Sequence, residues 1–345
     1  MGGRPDRELD IPICAVFLVL FVSMAATHMT VFQFNRRRDH KFLFSMLLFG
    51  FCMARIAALS TRIAWAANPT SLNIGIAAGI FTQAGVLLLF VVNLLFSQRI
   101  LRAYHPNIGW HPAVKWTYVA LLGIVIAMFI MVISASIALF FTLSPTERDK
   151  DRTIQLFAGT FLAVIAFLPI PVVLAALAIP RKTRVEKFGQ GRFRTKIRLL
   201  LSTALLLSVG AGFRLGAGFA APPASSPAWF DSKACFYVFN FGLEFLVVFA
   251  YAVTRFDRRF HVPNGSFAPG HYAGGQMQKL TFSDCINRED DLFGSVAQVA
   301  QTTVMEATPE AAEAARQWTE KARRELYGVS SVDSQSEEYF SAEEG

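Results

Sequence analysis

An all-α bundle of seven transmembrane helices, with its N-terminus outside and a largely disordered cytosolic C-terminal tail, is the fold class this sequence predicts. Three observations predict it. Apolar residues make up 53% of the 345 and charged residues only 17%, where an ordinary soluble domain has roughly 45–50% and about 25%, and the mean hydropathy is +0.40. Seven runs reach the length of about 20 apolar residues that a bilayer core demands of a helix, and one soluble core of this size cannot bury them all. Lys and Arg, finally, collect on alternate sides of those runs.

Residues 1–10 form a short extracellular segment. Arg4, Asp6, Arg7, Glu8 and Asp10 give it no basic signal-peptide start, so the first run is expected to act as its own insertion signal. The runs are Ile11 to Phe34, Phe42 to Ala66, Leu72 to Phe96, Trp116 to Phe141, Ile154 to Ile179, Ile197 to Ala220 and Cys235 to Val253, a membrane domain over 11–253. Helix is the only assignment for each, since lipid offers backbone N–H and C=O groups no partner outside their own segment. Trp65, Trp110, Trp116 and Trp229 fall at the run ends, where amphipathic rings sit at headgroup level. Pro169 and Pro171 predict a kink in the fifth helix, and Gly212 with Gly216 a GxxxG face for close packing in the sixth.

Residues 254–345 make the cytosolic tail. Its start, Thr254 to His261 (TRFDRRFH), is expected along the inner membrane surface, and 263–275 as irregular loop. A short helix is predicted over 309–327, capped by Thr308 and stopped by Gly328. The acidic, serine-rich end offers Ser334, Ser336 and Ser341 for phosphorylation or serves only to solubilise.

The formal net charge is +8, but residues 254–345 hold 9 Lys/Arg against 15 Asp/Glu, leaving +14 for the rest. The positive charge therefore lies in the loops between apolar runs, as membrane orientation requires, and no nucleic-acid partner is expected. One side of the membrane receives 17 Lys/Arg and the other 6, which puts the N-terminus outside and the tail in the cytosol. Cys14, Cys52, Cys235 and Cys285 show no CxxC or other close ligand spacing, so no metal and no cofactor is expected.

Charges at bilayer depth cost about 2.5–3.5 kcal/mol each on insertion scales, which makes them the place to look for function. Arg55 and Arg62 in the second helix, Arg214 in the sixth and Glu244 in the seventh are the four. Arg55 and Glu244 lie at similar depth and are expected to form an intramembrane ion pair, whether to lock packing or to serve function. Arg62 and Arg214 lie closer to the outer surface with no further acid within the runs. With Asn240, they are candidates for binding an anionic or lipid-like ligand, the alternative being that they snorkel to headgroups. Cys14 and Cys235 share the outer ends of helices one and seven and are candidates for a disulfide. His28 has no second ligand type near it, and the seventh run has no lysine for a retinal Schiff base. No nucleophile–base pair or phosphate loop can be assembled, so no enzyme is expected.

Several blocks together resemble a known group: RELDIPICAVFL at 7–18, GFCMARIA at 50–57, QRILRAYHPNIGWH at 98–111, EKFGQGRFRTKI at 186–197, SKACFYVFNFGLEF at 232–245 and RFDRRFHVPNGS at 255–266. They resemble an uncharacterised fungal seven-transmembrane family often labelled family-C-like G-protein-coupled receptors. The resemblance implies the topology and a receptor-like class. The chain departs from the major receptor class in ending its third helix Ser97-Gln98-Arg99 and its seventh FAYAVTR, and only ten residues precede the first predicted helix where a family-C receptor would be expected to carry a large extracellular ligand module.

The expected function is thus a receptor-like membrane protein sensing an unknown, anionic or lipid-like ligand. Its partners are the lipid bilayer and a cytosolic signalling protein at the basic loop 180–196 and the tail, and the plasma membrane is its expected location. A transporter or lipid translocator is the alternative, weakened by the lack of an internal repeat between helices one to three and five to seven.

Overall fold

The computed structural model describes residues 3–38, 42–141, 145–181, 185–220, 228–263, 266 and 268–272, with 72, 84, 136, 139–141 and 145–148 described in backbone only. The chain divides into two compact units, Met1–Leu292 and Phe293–Gly345, and every described residue lies in the first. The tail helix over 309–327 and the three serines lie outside the described residues.

Seven helices are long and apolar enough to cross a membrane: Arg7–Arg37, Phe44–Ala67, Asn73–Tyr104, Pro112–Ala135, Asp149–Ala178, Phe193–Ala220 and Lys233–Val253. We call them the first to seventh spans. Among the described residues there is no strand. This is a multi-pass membrane protein. An odd number of crossings sets the N-terminus and the segment after the seventh span on opposite faces of the bundle, the N-terminal face and the opposite face.

The third span is the centre. It packs against the second, fourth, fifth and sixth, while the first closes against the second and seventh. Its half from Val86 to Tyr104 is buried almost residue for residue, and it is apolar on nearly every side until Asn93, as a helix enclosed by others must be. Lipid-facing positions such as Val16, Ile130, Phe157 and Val253 stay exposed.

Three spans are interrupted. The third breaks at Gly85, between helices Leu72–Ala84 and Val86–Tyr104. The fifth breaks at Leu168, before Pro169, because Pro169 and Pro171 lack the N–H groups that a continuous ladder needs. The seventh contains a π turn at Val238–Gly242, and π turns inside α-helices recur at functional sites.

The face opposite the N-terminus is closed by aromatic side chains. Phe260 stacks on Phe96 with ring centroids 4.1 Å apart, Phe96 meets Phe44 at 4.8 Å, and Phe256 meets Phe42 at 5.1 Å. Phe188, from the loop before the sixth span, packs edge-on against Tyr272 at 5.5 Å, which in turn meets Trp110 at 5.4 Å. Main-chain bonds fix this clasp: Gln190 N–H donates to the Arg258 carbonyl at 2.7 Å and Glu186 N–H to that of Ala103 at 3.0 Å. Gly189 has φ +56, and a Cβ there would collide with the Arg259 carbonyl, so only glycine lets the loop lie on that backbone.

Three expectations are corrected. TRFDRRFH packs into the bundle end instead of lying open as a surface segment. It turns at Arg255, which has φ 49, into the short helix Phe256–Arg259; Phe256 and Phe260 are buried because the aromatic cluster offers them apolar contact, and Asp257 is buried beside Asn35 Nδ2 at 3.2 Å and Arg255 Nε at 3.3 Å. The GxxxG pair is not a contact face, since a Cβ at Gly212 or Gly216 would meet nothing within 4 Å; the close approaches are at Gly210, 3.3 Å from the Phe239 carbonyl, and Gly218, 3.2 Å from Leu156. The first helix begins a turn early, at Arg7, where Glu8 and Asp10 complement the positive end of its dipole.

Candidate functional site

Arg55 is fully buried in the second span and meets Glu244 of the seventh through two nitrogens, Nε at 2.6 Å from Oε2 and Nη2 at 2.8 Å from Oε1. Its third nitrogen, Nη1, donates to the Thr82 carbonyl at 2.6 Å. That carbonyl stands just ahead of the Gly85 break, and the guanidinium rests directly on Gly85: a Cβ there would lie 3.1 Å from Nε. The break in the third span therefore supplies both an acceptor and the space for a cation that has no water to turn to.

Glu244 has a second partner. Arg214 Nη1 of the sixth span lies 3.0 Å from Oε1, with its side chain 19% exposed where that of Arg55 is 0%. Two guanidiniums thus share one carboxylate, and this triad carries a surplus of one positive charge.

A second cluster lies nearer the N-terminal face. Asp10 Oδ1 receives Arg62 Nη2 at 2.9 Å and the Tyr237 hydroxyl at 2.5 Å, and Oδ2 receives Lys233 Nζ at 2.6 Å. The Arg62 guanidinium also lies 4.1 Å from the centre of the Phe236 ring. Arg62, a ligand-binding candidate by sequence, is paired here with Asp10, which sequence counts as lying before the membrane but which is buried inside the first helix. Asn240, the candidate on the Glu244 face, is buried and donates to the Phe236 carbonyl at 2.9 Å, within the π-turn stretch of its own helix. The disulfide is corrected: Cys14 and Cys235 are free thiols. Cys14 Sγ meets the Tyr237 hydroxyl at 3.1 Å, and Cys235, two residues before Tyr237 on a helix of 3.6 residues per turn, faces the other way.

Arg214 also lines a cavity of about 200 Å³ between the third, fourth, fifth and sixth spans. Its polar lining is Arg152, Gln155, Gln83 and Arg214, with Phe90, Leu162 and Ala211 among the apolar residues. The course of the fifth span from the N-terminal face, Arg152, Gln155, Gly159, Ala163, sets the polar groups shallow and the apolar ones deep. Arg152 Nη2 also reaches the Phe219 carbonyl at 3.3 Å, at the C-terminal end of the sixth span, where a cation is favoured. Sequence reasoning missed Arg152 because it ends the alternating charge run ERDKDR. The signal was its spacing: Arg152, Gln155, Gly159 and Ala163 recur at helical intervals and share one face.

Below the triad, the Tyr251 hydroxyl donates to Asn93 and lies 3.1 Å from Thr203 Oγ1, tying the third, sixth and seventh spans between the triad and the opposite face. His28 is buried and meets the Phe256 ring edge-on at 5.7 Å, a packing contact. Among the described residues no group of three or more His, Cys, Asp or Glu side chains gathers as a metal site.

No curated protein and no solved structure matches the chain. Residues 187–261, which run from the clasp loop through the sixth and seventh spans and include Arg214, the π turn, Glu244 and Phe260, are similar to a family described as a protein of unknown function (DUF3112).

Proposed function

We propose that this membrane protein is receptor-like and takes the anionic head and first carbons of a single-chain amphiphile, of the fatty-acid or lysophospholipid kind, into the cavity between the third and sixth spans. The observation that carries the reading is the cavity's composition: two guanidiniums and two carboxamides set among apolar side chains. At about 200 Å³ it is smaller than the roughly 300–1,000 Å³ of sites that enclose a drug-sized molecule. It holds a head and a short stretch of chain and leaves the remaining chain to the bilayer. A carboxylate or phosphate on Arg214 and Arg152 gains charge-assisted bonds in a place of low dielectric.

In this reading the N-terminal face is extracellular, the membrane is the plasma membrane, and the clasp and tail address a cytosolic signalling partner. A second reading, a lipid translocator, is favoured by the three interrupted spans, since broken helices around a midplane charge are a transporter habit.

Thermal melting of the purified chain in neutral detergent tests the site, with dodecanoate, lysophosphatidic acid and dodecanol as probes. The acids are expected to raise the melting temperature with concentration, as linkage requires, and dodecanol is not; Arg152→Gln is expected to weaken the response about tenfold. Equal stabilisation by dodecanol would overturn an anion site. Proteoliposome flux separates the two readings: saturable binding without movement of labelled dodecanoate fits the receptor, steady movement the translocator.

A further inference from the structure

Arg214 stands in two places at once. Its Nη1 lies 3.0 Å from Glu244, and its side chain lines the cavity beside Arg152. Glu244 keeps a partner without it: fully buried Arg55 donates to Oε1 at 2.8 Å and stands in ion-pair contact with Oε2 at 2.6 Å. Removing one of two cations from a single acid leaves a neutral pair, whereas keeping both leaves a buried surplus charge that a low dielectric penalises. The longer, more exposed, single contact is the one to be exchanged.

The neighbours of Arg214 connect it to the seventh span. Phe213 stacks flat on Phe239 of the π turn, with centroids 3.7 Å apart, and Gly210, one helical turn before Arg214, allows the Phe239 carbonyl within 3.3 Å of where a Cβ would stand. The π turn at Val238–Gly242 thus rests on the stretch of the sixth span that Arg214 occupies, and Glu244 follows directly after it. A π turn has one residue more than the helix around it and interrupts its hydrogen-bond ladder.

We infer that Arg214 is an exchangeable partner: an anion in the cavity draws it from Glu244, leaves Glu244 to Arg55 alone, and so loosens the contact of the sixth span with the π turn of the seventh. The cavity takes its regulatory output from this exchange. The trigger rests on the amphiphile reading above; the releasable contact does not. A ligand can shift a conformational balance only by binding the two states differently, and here the difference is the Arg214 contact.

The experiment is backbone amide exchange over residues 236–244 of the full chain in lipid nanodiscs. Arg214→Gln, without any probe, is expected to raise exchange at 238–242 about fivefold or more, and Arg214→Lys is expected to hold it near the native rate. Saturating dodecanoate on the native chain is expected to move the same amides in the same direction, and Arg152→Gln, which leaves Glu244 untouched, to shift the dose needed without changing the final rate. Native exchange at 238–242 in Arg214→Gln overturns the inference, as does dodecanoate that binds, by melting temperature, while those amides stay at their native rate. Failure of dodecanoate to bind sinks the amphiphile reading and this trigger with it, while the probe-free Arg214→Gln comparison still decides on the contact. Should Arg214→Gln not fold, the Arg152→Gln dose series on exchange decides alone: a response that fails to move with binding overturns the inference.

Discussion

Toward the N-terminal face, Arg55, Arg62, Arg214 and Lys233 are gathered around two carboxylates, Asp10 and Glu244. Toward the opposite face, Lys196 donates to the Phe188 carbonyl and lies over the Phe188 ring at 4.6 Å. Arg102 reaches the Gly109 carbonyl and lies over Trp110 at 4.2 Å, and Arg99 donates to the Phe260 carbonyl above the Phe44 ring. Near the N-terminal face these cations meet formal charges. Near the opposite face Lys196, Arg102 and Arg99 meet main-chain carbonyls and ring faces inside a packed cluster, with the Arg255–Asp257 pair at 3.3 Å at its edge. On the reading proposed above, the first end responds and the second holds.

Breaking the charged end is expected to have the largest effect. Glu244→Ala strands Arg55 and Arg214 together, and loss of one member of a buried pair costs about 3–5 kcal/mol; the variant is expected to melt far below the native chain or fail to accumulate. Phe260→Ala opens a void between Phe96 and Phe188, which both pack on its ring, at about 3 kcal/mol. The contrast is sharpened by adding dodecanoate: Phe260→Ala should keep the native stabilisation by the probe, and a lost response would mean that the clasp and cavity are one unit. Gly189→Ala forces a side chain into a left-handed backbone position against the Arg259 carbonyl and is expected to cost about 2 kcal/mol, with exchange rising in residues 185–192 and 254–260 and not around Glu244. The smallest effect is from reductant. With no bond between Cys14 and Cys235, melting should move by less than about 0.5 kcal/mol, and a maleimide should label Cys235 far faster than the buried Cys14.

The spans were legible because lipid permits only one backbone solution, and the Arg55–Glu244 meeting because a charge at that depth must find a counter-charge. Asp10 was not, since hydropathy marks where apolar residues begin and helix geometry does not wait for them: the helix starts at Arg7, and its first turn carries Asp10 to Arg62. The position of Asn240 on the Glu244 face is clear in sequence, but the π turn and the bond of Asn240 to the Phe236 carbonyl are not. Composition showed the phenylalanines without their use. Phe188 sits in a run of basic residues, and only the fold of Gly189 and Gly191, both at positive φ, brings its ring beneath the bundle.

The Arg55–Glu244 contact joins residues 189 positions apart. At the roughly 5–20 residues per second of synthesis, the second span waits about 10–40 s for its counter-charge, through the entry of four more spans. Asp10 likewise waits for Tyr237, 227 positions later. The seventh span therefore supplies Glu244, the counter-charge of both Arg55 and Arg214. A nascent chain halted before it holds these two cations at bilayer depth without their acid.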